Sequence, residues 1–366
     1  MVKLFFVLFL KSIQIMKNKI NQIPLFLITA FLFACSGGSS PDSGDGGNKD
    51  YDPVDVVNLT SESSKYIILE TRTDNFDKAK AKSNAEDAIT KFKDLQCMVG
   101  LFAYNSPSCI DAIKEADKLN QIKVCGFDEQ DALLEAIGQG HAYGTVSQQP
   151  WEYGYQSIKK LKELYEAQGN EVSPSTSFAY VTNGVDPFWD LCAAGVRIAE
   201  KEFGISCEVL MPPKGVVDQK RMMETLLANS VDGIAVSPVD AENQTPFLNE
   251  VAENTILITN DSDAPDSKRL AFIGTNNYKA GRALGKLVKK AVPEGGEVVL
   301  FVGRLEQLNA RQRRQGVIDE LLERPVKNLG SETKGYSETS FLLVTKDNVD
   351  EFWAKKKEMA ELGKTQ

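Results

Sequence analysis

Polar side chains that could bind a small hydroxylated molecule recur directly after short apolar runs of this chain. Carboxylates accept hydrogen bonds, and amides and hydroxyls both donate and accept them, so such side chains can pair with the hydroxyl groups of a ligand. Aromatic rings nearby can cover the apolar face of a sugar. The pattern predicts a site for a small neutral polyol, formed by Asn105, Asp128, Gln148, Asp186, Ser237, Asp261 and Thr275 with the rings of Phe188 and Trp189.

A helix N-cap is the alternative explanation for any single one of these polar residues, because Asp, Asn and Ser are favoured at caps. Caps alone do not require Phe188 and Trp189 at the same rim. The binding interpretation therefore depends on the whole set and not on any one position.

The elements that must position these residues are apolar runs of four to seven residues, which predict buried parallel strands. Helical stretches separate most of them, and this alternation predicts doubly wound parallel sheets with ligands at the carboxyl ends of the strands. About ten strands are too many for one core, so we predict two α/β lobes joined by a hinge. The predicted strands are Tyr66–Leu69, Met98–Ala103, Ile122–Gly126, Gly144–Ser147, Phe178–Thr182, Cys207–Leu210, Gly233–Val236, Ile256–Thr259, Leu270–Ile273 and Val298–Val302.

Composition excludes several classes of protein. The 366 residues are 42% hydrophobic and 25% charged, as in a soluble globular protein. Residues after 34 carry 38 basic and 51 acidic side chains, a net charge of −13, so a nucleic acid is not an expected partner. His141 is the single histidine, and the cysteines after Cys35 have no CxxC spacing. We therefore expect no metal and no cofactor, and buried thiols are favoured over a disulfide.

The N-terminus has the pattern of an export signal. Lys17 and Lys19 precede an apolar stretch over Ile20–Phe33, and Leu32-Phe33-Ala34-Cys35 resembles the bacterial lipobox, whose cysteine is acylated. A transmembrane anchor is the alternative, but the stretch is interrupted and falls short of ~20 apolar residues. We predict a signal peptide at 1–34, a lipidated Cys35, a flexible tether at 35–62, and a periplasmic or cell-surface protein held to a membrane.

Eight motifs together resemble the type I periplasmic binding proteins, the ribose- and galactose-binding group that supplies ABC importers. The resemblance covers roughly 63–166, 176–324 and 339–362. It implies a two-lobed sugar-binding fold, and it implies that the first arginine of Ala310-Arg311-Gln312-Arg313 reaches the ligand. The other motifs are Asp186-Pro187-Phe188-Trp189, Val231–Ile234 with Ser237–Asp240, Thr259-Asn260-Asp261, Ile273–Asn277, Phe102–Asn105, Gly126-Phe127-Asp128 and Thr145–Pro150.

The order of the motifs differs from that family, in which the block like 176–324 precedes the block like 65–166. This exchange resembles a permutation, and the joints at 167–175 and 325–338 are long enough to allow it. We predict lobe 2 from 63–143 together with 279–366, which includes the tail, and lobe 1 from 144–278. We also predict that one hinge connection is lost, leaving about two.

The function predicted from these features is a monomeric binding protein, not an enzyme, that closes on a sugar or polyol and delivers it to an ABC transporter permease. Ribose itself is not expected, because Ser262 stands where the ribose-type pattern often has arginine. A lipoprotein that presents its closed form to a membrane receptor stays open, as does, less favoured, an enzyme acting on a sugar. Lobe 1 would contribute Asp186, Phe188, Trp189, Ser237, Asp261 and Thr275; lobe 2 would contribute Phe76, Asn105, Asp128 and Arg311; Gln148 would lie at the return crossing.

Overall fold

The computed structural model describes residues 51–53, 55–305, 307–329 and 335–364. The predicted signal peptide, Cys35 and the tether up to residue 50 lie outside the described residues. Twelve strands are present in the described part, and ten of them overlap the predicted strands. They are β1 (Tyr66–Thr73), β2 (Leu95–Gly100), β3 (Lys123–Phe127), β4 (Gly144–Ser147), β5 (Ser177–Val181), β6 (Ser206–Leu210), β7 (Gly233–Val236), β8 (Ile256–Asn260), β9 (Ala271–Gly274), β10 (Gly296–Val302), β11 (Tyr336–Glu338) and β12 (Leu342–Thr345).

Helices connect most of the strands. Over the described residues they are α1 (Lys78–Lys91), α2 (Asn105–Glu115), α3 (Asp131–Gln139), α4 (Pro150–Ala167), α5 (Pro187–Phe203), α6 (Val216–Ala228), α7 (Ala241–Asn254), α8 (Asn277–Ala291), α9 (Leu308–Leu321) and α10 (Val349–Lys364). None of the helices described here combines the length and the apolar character that a membrane span requires.

The strands form two six-stranded sheets, one in each lobe. Lobe 2 has the order β1-β10-β2-β3-β4-β12, and lobe 1 has the order β11-β9-β8-β7-β5-β6. Every neighbouring pair is parallel except β12 with β4. Apolar side chains such as Val99 and Ile234 are fully buried because helices cover both faces of each sheet. The prediction of an α/β fold with two parallel-sheet lobes is confirmed.

The two sheets follow one spatial pattern with different chain orders. In lobe 1 the strands β6-β5-β7-β8-β9 have the doubly wound order 2-1-3-4-5. In lobe 2 the strands β1-β10-β2-β3-β4 would have the same order if β10 preceded β1 in the chain. The ends of β3 and β8 are therefore equivalent positions, as are the ends of β4 and β9.

Several connections pass between the lobes. The chain crosses from β4 to α4, from β9 to α8, from α9 back to β11, and from β11 to β12. The prediction that one connection is lost, leaving about two, is therefore wrong. These four connections pass between the lobes, and one of them is the return from α9 to β11.

The predicted lobe boundaries also differ from the structure at two places. Strand β4 at 144–147 lies in lobe 2, where it pairs with β3 and β12, so lobe 1 does not begin at 144. Strand β11 lies in lobe 1, where it pairs with β9. The sequence-based prediction places β11 in lobe 2 together with the rest of the tail.

Two glycines bring α4 onto α5 in lobe 1. An added Cβ would lie 1.9 Å from the Cys192 carbonyl oxygen at Gly154, and 1.8 Å from the Trp151 carbonyl oxygen at Gly195. Only glycine permits backbones to approach this closely. The crossing fixes the start of α4 against the helix that carries Asp186 and Phe188 near its N-terminus.

Helix α10 contacts both lobes. Gly363 packs against the backbone of α5 in lobe 1. Trp353 Nε1 and Lys356 Nζ both donate hydrogen bonds to Asp131 Oδ1 of α3 in lobe 2, at 3.1 and 2.6 Å. The helix therefore spans one flank of the junction between the lobes.

The chain from residue 51 is docked on lobe 2, so the prediction of a flexible tether up to residue 62 is wrong for its described part. Asp52 exchanges two hydrogen bonds of 2.7 Å with the Gln315 side chain of α9. At the end of α9, Ser61 donates to the carbonyl of the cap residue Leu322 at 2.7 Å, and Ser64 donates to the last helical carbonyl, Leu321 O, at 2.6 Å. These hydrogen bonds hold the segment because they satisfy polar groups that would otherwise lack partners.

Candidate functional site

A cavity of about 370 Å³ lies between the two lobes. Lobe 2 lines it with the loop from Asp128 and with the start of α3, and lobe 1 lines it with the start of α5. Lys356 of α10 reaches it from the side. The cavity is therefore bounded by the carboxyl ends of strands, where doubly wound sheets bind ligands.

Asp128 and Asp261 occupy equivalent positions in the two lobes. Each is the first residue after its strand, β3 or β8, and each has a positive φ, 66° and 55°. The left-handed conformation is costly for a residue with a Cβ and persists only where the surroundings impose it. Both backbones turn sharply at the strand end and leave the carboxylates buried.

Burial raises the pKa of both carboxyl groups, for Asp261 to about 6, and the Arg313 guanidinium counteracts the increase in each. Asp128 contributes to the raised pKa of Asp261, and Asp186 contributes to that of Asp128. Carboxylates from opposite lobes thus interact electrostatically across the junction. Burial also raises the pKa of neighbouring Glu129 to about 8.

Arg313 is the cation at the centre of this group and is only 2% exposed. Its Nη2 donates to Gln148 Oε1 at 2.8 Å, its Nε donates to Asn277 Oδ1 at 2.7 Å, and its guanidinium lies 4.0 Å from the centroid of the Phe127 ring. Arg313 is not among the predicted site residues. Neither the chain spacing nor the motif distinguishes it from Arg311.

Arg311, the predicted ligand contact, lies elsewhere on α9. Its guanidinium is 5.7 Å from the centroid of the Tyr51 ring, and its Nε is buried without a hydrogen-bond partner. The structure does not bring Arg311 together with the aspartates, because Arg313 takes the position beside them.

The start of α5 supplies a polar and an aromatic group to the cavity. Asp186 caps the helix by accepting a hydrogen bond of 3.0 Å from Phe188 N, and both residues line the cavity. The ring of Trp189, in contrast, is 3% exposed and packs in the core of lobe 1, 6.4 Å from Tyr180. Phe188 therefore faces the cleft, and Trp189 supports it from behind at 5.0 Å between ring centroids.

Asn105 is bonded within lobe 2. Its Nδ2 donates to Asp74 Oδ2 at 2.8 Å, and its Oδ1 accepts from Phe102 N at 3.1 Å. Asp74 also accepts from the Tyr104 hydroxyl. Asp74 is absent from the predicted site because the predicted first strand ends at Leu69, whereas β1 continues to Thr73.

Phe76 is held at the edge of lobe 2 with 43% of its surface exposed. Its backbone N–H donates to Asp74 Oδ1 at 2.9 Å, and its φ is 65°. The ring lies 5.7 Å from Phe102 and 5.3 Å from the Arg304 guanidinium. An exposed aromatic ring held in a strained backbone suits contact with a ligand.

The remaining predicted residues belong to buried networks at the junction. The Ser237 hydroxyl donates to Asp261 Oδ2 at 3.3 Å. The Gln148 amide donates to Asp128 Oδ1 at 2.6 Å, and Thr275 bonds to the Tyr153 hydroxyl at 2.8 Å. The structure thus connects Asp128 with Gln148 and Asp261 with Ser237. Within the described ranges no group of three His, Cys, Asp or Glu residues is arranged to hold a metal ion.

Comparisons with known proteins give one family. The chain matches the model of the periplasmic binding protein domain over residues 51–171 and 178–364. Among curated proteins it is 26% identical over 110 residues to the D-ribose/D-allose-binding protein of Pseudomonas aeruginosa. The matched region covers 28% of this chain and 34% of that protein. It is 24% identical over 145 residues to the D-allose-binding periplasmic protein of Escherichia coli K12, which covers 37% of this chain and 47% of that protein.

Solved structures give partial matches. An ABC transporter solute-binding protein from Burkholderia graminis, in complex with D-arabinose, is 26% identical with a TM-score of 0.39, over 46% of this chain and 56% of that chain. The match to each of the two curated relatives spans less than half of that relative's length. The family match, in contrast, extends over most of this chain, so the protein belongs to the periplasmic binding protein domain family.

Proposed function

We propose that this protein captures a small sugar or polyol between its two lobes and delivers it to an ABC importer in the periplasm. The observation that carries the proposal is the pairing of Asp128 and Asp261, which come from equivalent strand ends of opposite lobes and interact with one buried arginine. The names of the two curated relatives, which bind ribose or allose, support a sugar as the ligand.

The chemistry of the cleft suits hydroxyl groups. Carboxylates accept hydrogen bonds from hydroxyls, and charge-assisted bonds of this kind are the stronger ones. Asp261 and Asp186 would accept from the ligand in lobe 1, and Asp128 would accept in lobe 2. Gln148, Ser237 and Thr275 would complete the polar surround at the junction.

Two aromatic rings, Phe188 and Phe76, would cover the apolar faces of the ligand from the two lobes. Because each lobe contributes only part of the contacts, the ligand would bind the closed form more tightly than the open form. That difference shifts the equilibrium towards closure without chemical change in the ligand.

A thermal-shift screen tests the proposal, because a ligand that binds only the folded protein raises its melting temperature. We expect a rise with at least one of D-ribose, D-allose, D-arabinose, D-glucose and myo-inositol. Asp261→Asn should abolish most of that rise. An unchanged melting temperature with all five would contradict the proposal, and a new NMR signal from the incubated sugar would indicate an enzyme.

We also propose that lipidated Cys35 anchors the protein to a membrane, as the motif Leu32-Phe33-Ala34-Cys35 predicts. Cys35→Ser removes the thiol that is acylated, so the expected result is release into the soluble fraction. A variant that remains in the membrane fraction would contradict the anchor.

The exchanged order of the two halves is likewise a proposal. It is supported by the chain order of lobe 2 and by Ser61 and Ser64, which hydrogen-bond to the end of α9 where the family order would join α9 to β1. A rejoined chain with 176–324 first, then 61–167, then 336–364 tests it. We expect a folded chain with the same sugar response, and a melting temperature lowered only by the loss of contacts from the omitted segment, such as those of Asp52 with Gln315. A chain that does not fold would contradict the proposal.

A further inference from the structure

The hydroxyl of Tyr153 lies where the connections between the lobes converge. It is fully buried at the start of α4. It lies 2.9 Å from Gln148 Oε1 on the first crossing and 2.8 Å from Thr275 Oγ1 on the second, and it accepts a hydrogen bond of 3.1 Å from Thr275 N. Thr275 Oγ1 in turn lies 3.3 Å from Thr339 Oγ1 on the connection between β11 and β12.

The same tyrosine contacts the cleft on two sides. Tyr153 hydrogen-bonds to Gln148, and the amide nitrogen of Gln148 donates a hydrogen bond to Asp128 of lobe 2. Its ring lies 6.1 Å from the ring of Phe188, which lines the cavity from lobe 1. One side chain therefore contacts two crossings directly, a third through Thr275, and residues on both faces of the cleft.

Arg313 reinforces this cluster from lobe 2. Its guanidinium bonds Gln148 Oε1, as Tyr153 does, and it also bonds Asn277, whose amide donates to Thr275 O at 3.2 Å. The cluster is buried, so a hydrogen bond lost within it is not replaced by water. Any rotation of the lobes about the crossings must change distances within it.

We propose that Tyr153 is a positioning residue that couples the cleft to the hinge. Its hydroxyl holds Gln148 and Thr275 in the geometry that presents them to the ligand, and through Thr275 and Thr339 it restrains the connections about which the lobes rotate. The inference rests on the proposed two-lobe closure and does not depend on which sugar binds.

Tyr153→Phe removes the hydroxyl and keeps the ring against Phe188. Tyr180→Phe is the matched control, because Tyr180 is also fully buried in lobe 1 and its hydroxyl donates at 2.7 Å to Asn260 Oδ1, which belongs to β8 and not to a crossing. Both variants are measured without sugar by hydrogen exchange of the peptides covering 146–150, 273–277 and 338–341, and by small-angle X-ray scattering.

We expect Tyr153→Phe to speed exchange about tenfold in all three peptides, including 338–341, which Tyr153 does not touch. The radius of gyration should change, because the balance between open and closed forms shifts. Tyr180→Phe should match the wild type in both measurements. A Tyr153→Phe protein that equals the control would overturn the proposal, and so would faster exchange confined to 146–150.

Thr339→Val decides the question if Tyr153→Phe does not fold. It removes only the outer hydroxyl of the cluster, and faster exchange in 273–277 is expected, whereas wild-type exchange there would overturn the coupling. These measurements need no ligand. A sugar screen without any response would therefore contradict the proposed function and leave the hinge result intact.

Discussion

Asp128 and Asp261 occupy equivalent strand ends in the two lobes, yet their surroundings differ. Asp128 accepts a short hydrogen bond from Gln148 and another from the backbone of Ala103, with Glu129 and Asp186 nearby. Among the described residues, the Asp261 carboxylate accepts side-chain hydrogen bonds only from the hydroxyls of Ser237 and Ser262, at 3.3 and 3.5 Å. The carboxylate of lobe 2 is already bonded to protein groups, whereas that of lobe 1 retains accepting capacity.

The same difference extends to the rest of the cleft. In lobe 2 Asn105, Asp74 and Arg313 all bond to protein partners, so this wall is a preassembled network. In lobe 1 Asp186 and Phe188 are only partly buried and border the cavity. Under the proposed function, lobe 2 would supply rigidity and electrostatic balance, and lobe 1 would supply most of the hydrogen bonds that a ligand gains.

The largest expected effect separates support from contact within lobe 1. Trp189→Ala removes a buried ring from the core, so we expect a loss of about 3–5 kcal/mol in the free energy of unfolding. Phe188→Ala should cost less stability and weaken sugar binding more, because that ring borders the cavity. Urea denaturation and calorimetric titration measure the two quantities. Equal losses of stability in the two variants would contradict the assignment of Trp189 to the core and of Phe188 to the ligand. This assignment replaces the sequence-based expectation that Trp189 contacts the ligand.

A smaller effect tests the two aspartates directly. Asp261→Asn removes the charge of a carboxylate whose oxygens can still accept hydrogen bonds from a ligand. We therefore expect sugar affinity to fall about 10- to 100-fold, the range for hydrogen bonds to charged groups. Asp128→Asn should reduce affinity less, because its oxygen already accepts from Gln148. Isothermal titration with the sugar identified in the screen measures both. Equal losses, or a larger loss for Asp128→Asn, would contradict the proposed difference between the lobes.

The smallest effect concerns pH. Because burial raises the pKa of Glu129 from its ordinary 4.5 to about 8, the folded protein favours the neutral acid. The contribution of the Glu129 carboxyl to the free energy of unfolding is fully present below pH 4.5, and it is lost as pH rises through 8. Glu129→Gln should therefore flatten the decrease in melting temperature over this range. Glu135→Gln, at an exposed position on α3, is the control and should follow the wild type; an unchanged slope in Glu129→Gln would refute the assignment.

Much of the fold could be predicted because the buried strands are continuous apolar runs. All ten predicted runs overlap a strand, and Ile256–Thr259 lies entirely within β8. The runs do not reveal β11 and β12, which have three and four residues and are largely exposed or half-buried. Such short strands depend on pairing with β9 and β4, partners far away in the chain.

The candidate site was less accessible to sequence reasoning. Polar residues after strands were found as a class, but the chain does not show that Asn105 bonds Asp74 or that Arg313 rather than Arg311 lies beside the aspartates. The chain also does not show that Arg313 and Arg314, two charged side chains of α9, are both buried. Tyr153 gave no signal because Thr275 lies 122 residues away along the chain.

Ser61 and Ser64 meet the end of α9 through side-chain hydrogen bonds, without a peptide bond at that point. Two segments of lobe 2 that lie 261 and 257 residues apart in the chain are thus held together by side-chain contacts at this point. Under the proposed exchange of the two halves, this contact would stand where the family order has a chain connection, and the residues of the cleft would keep their positions in space.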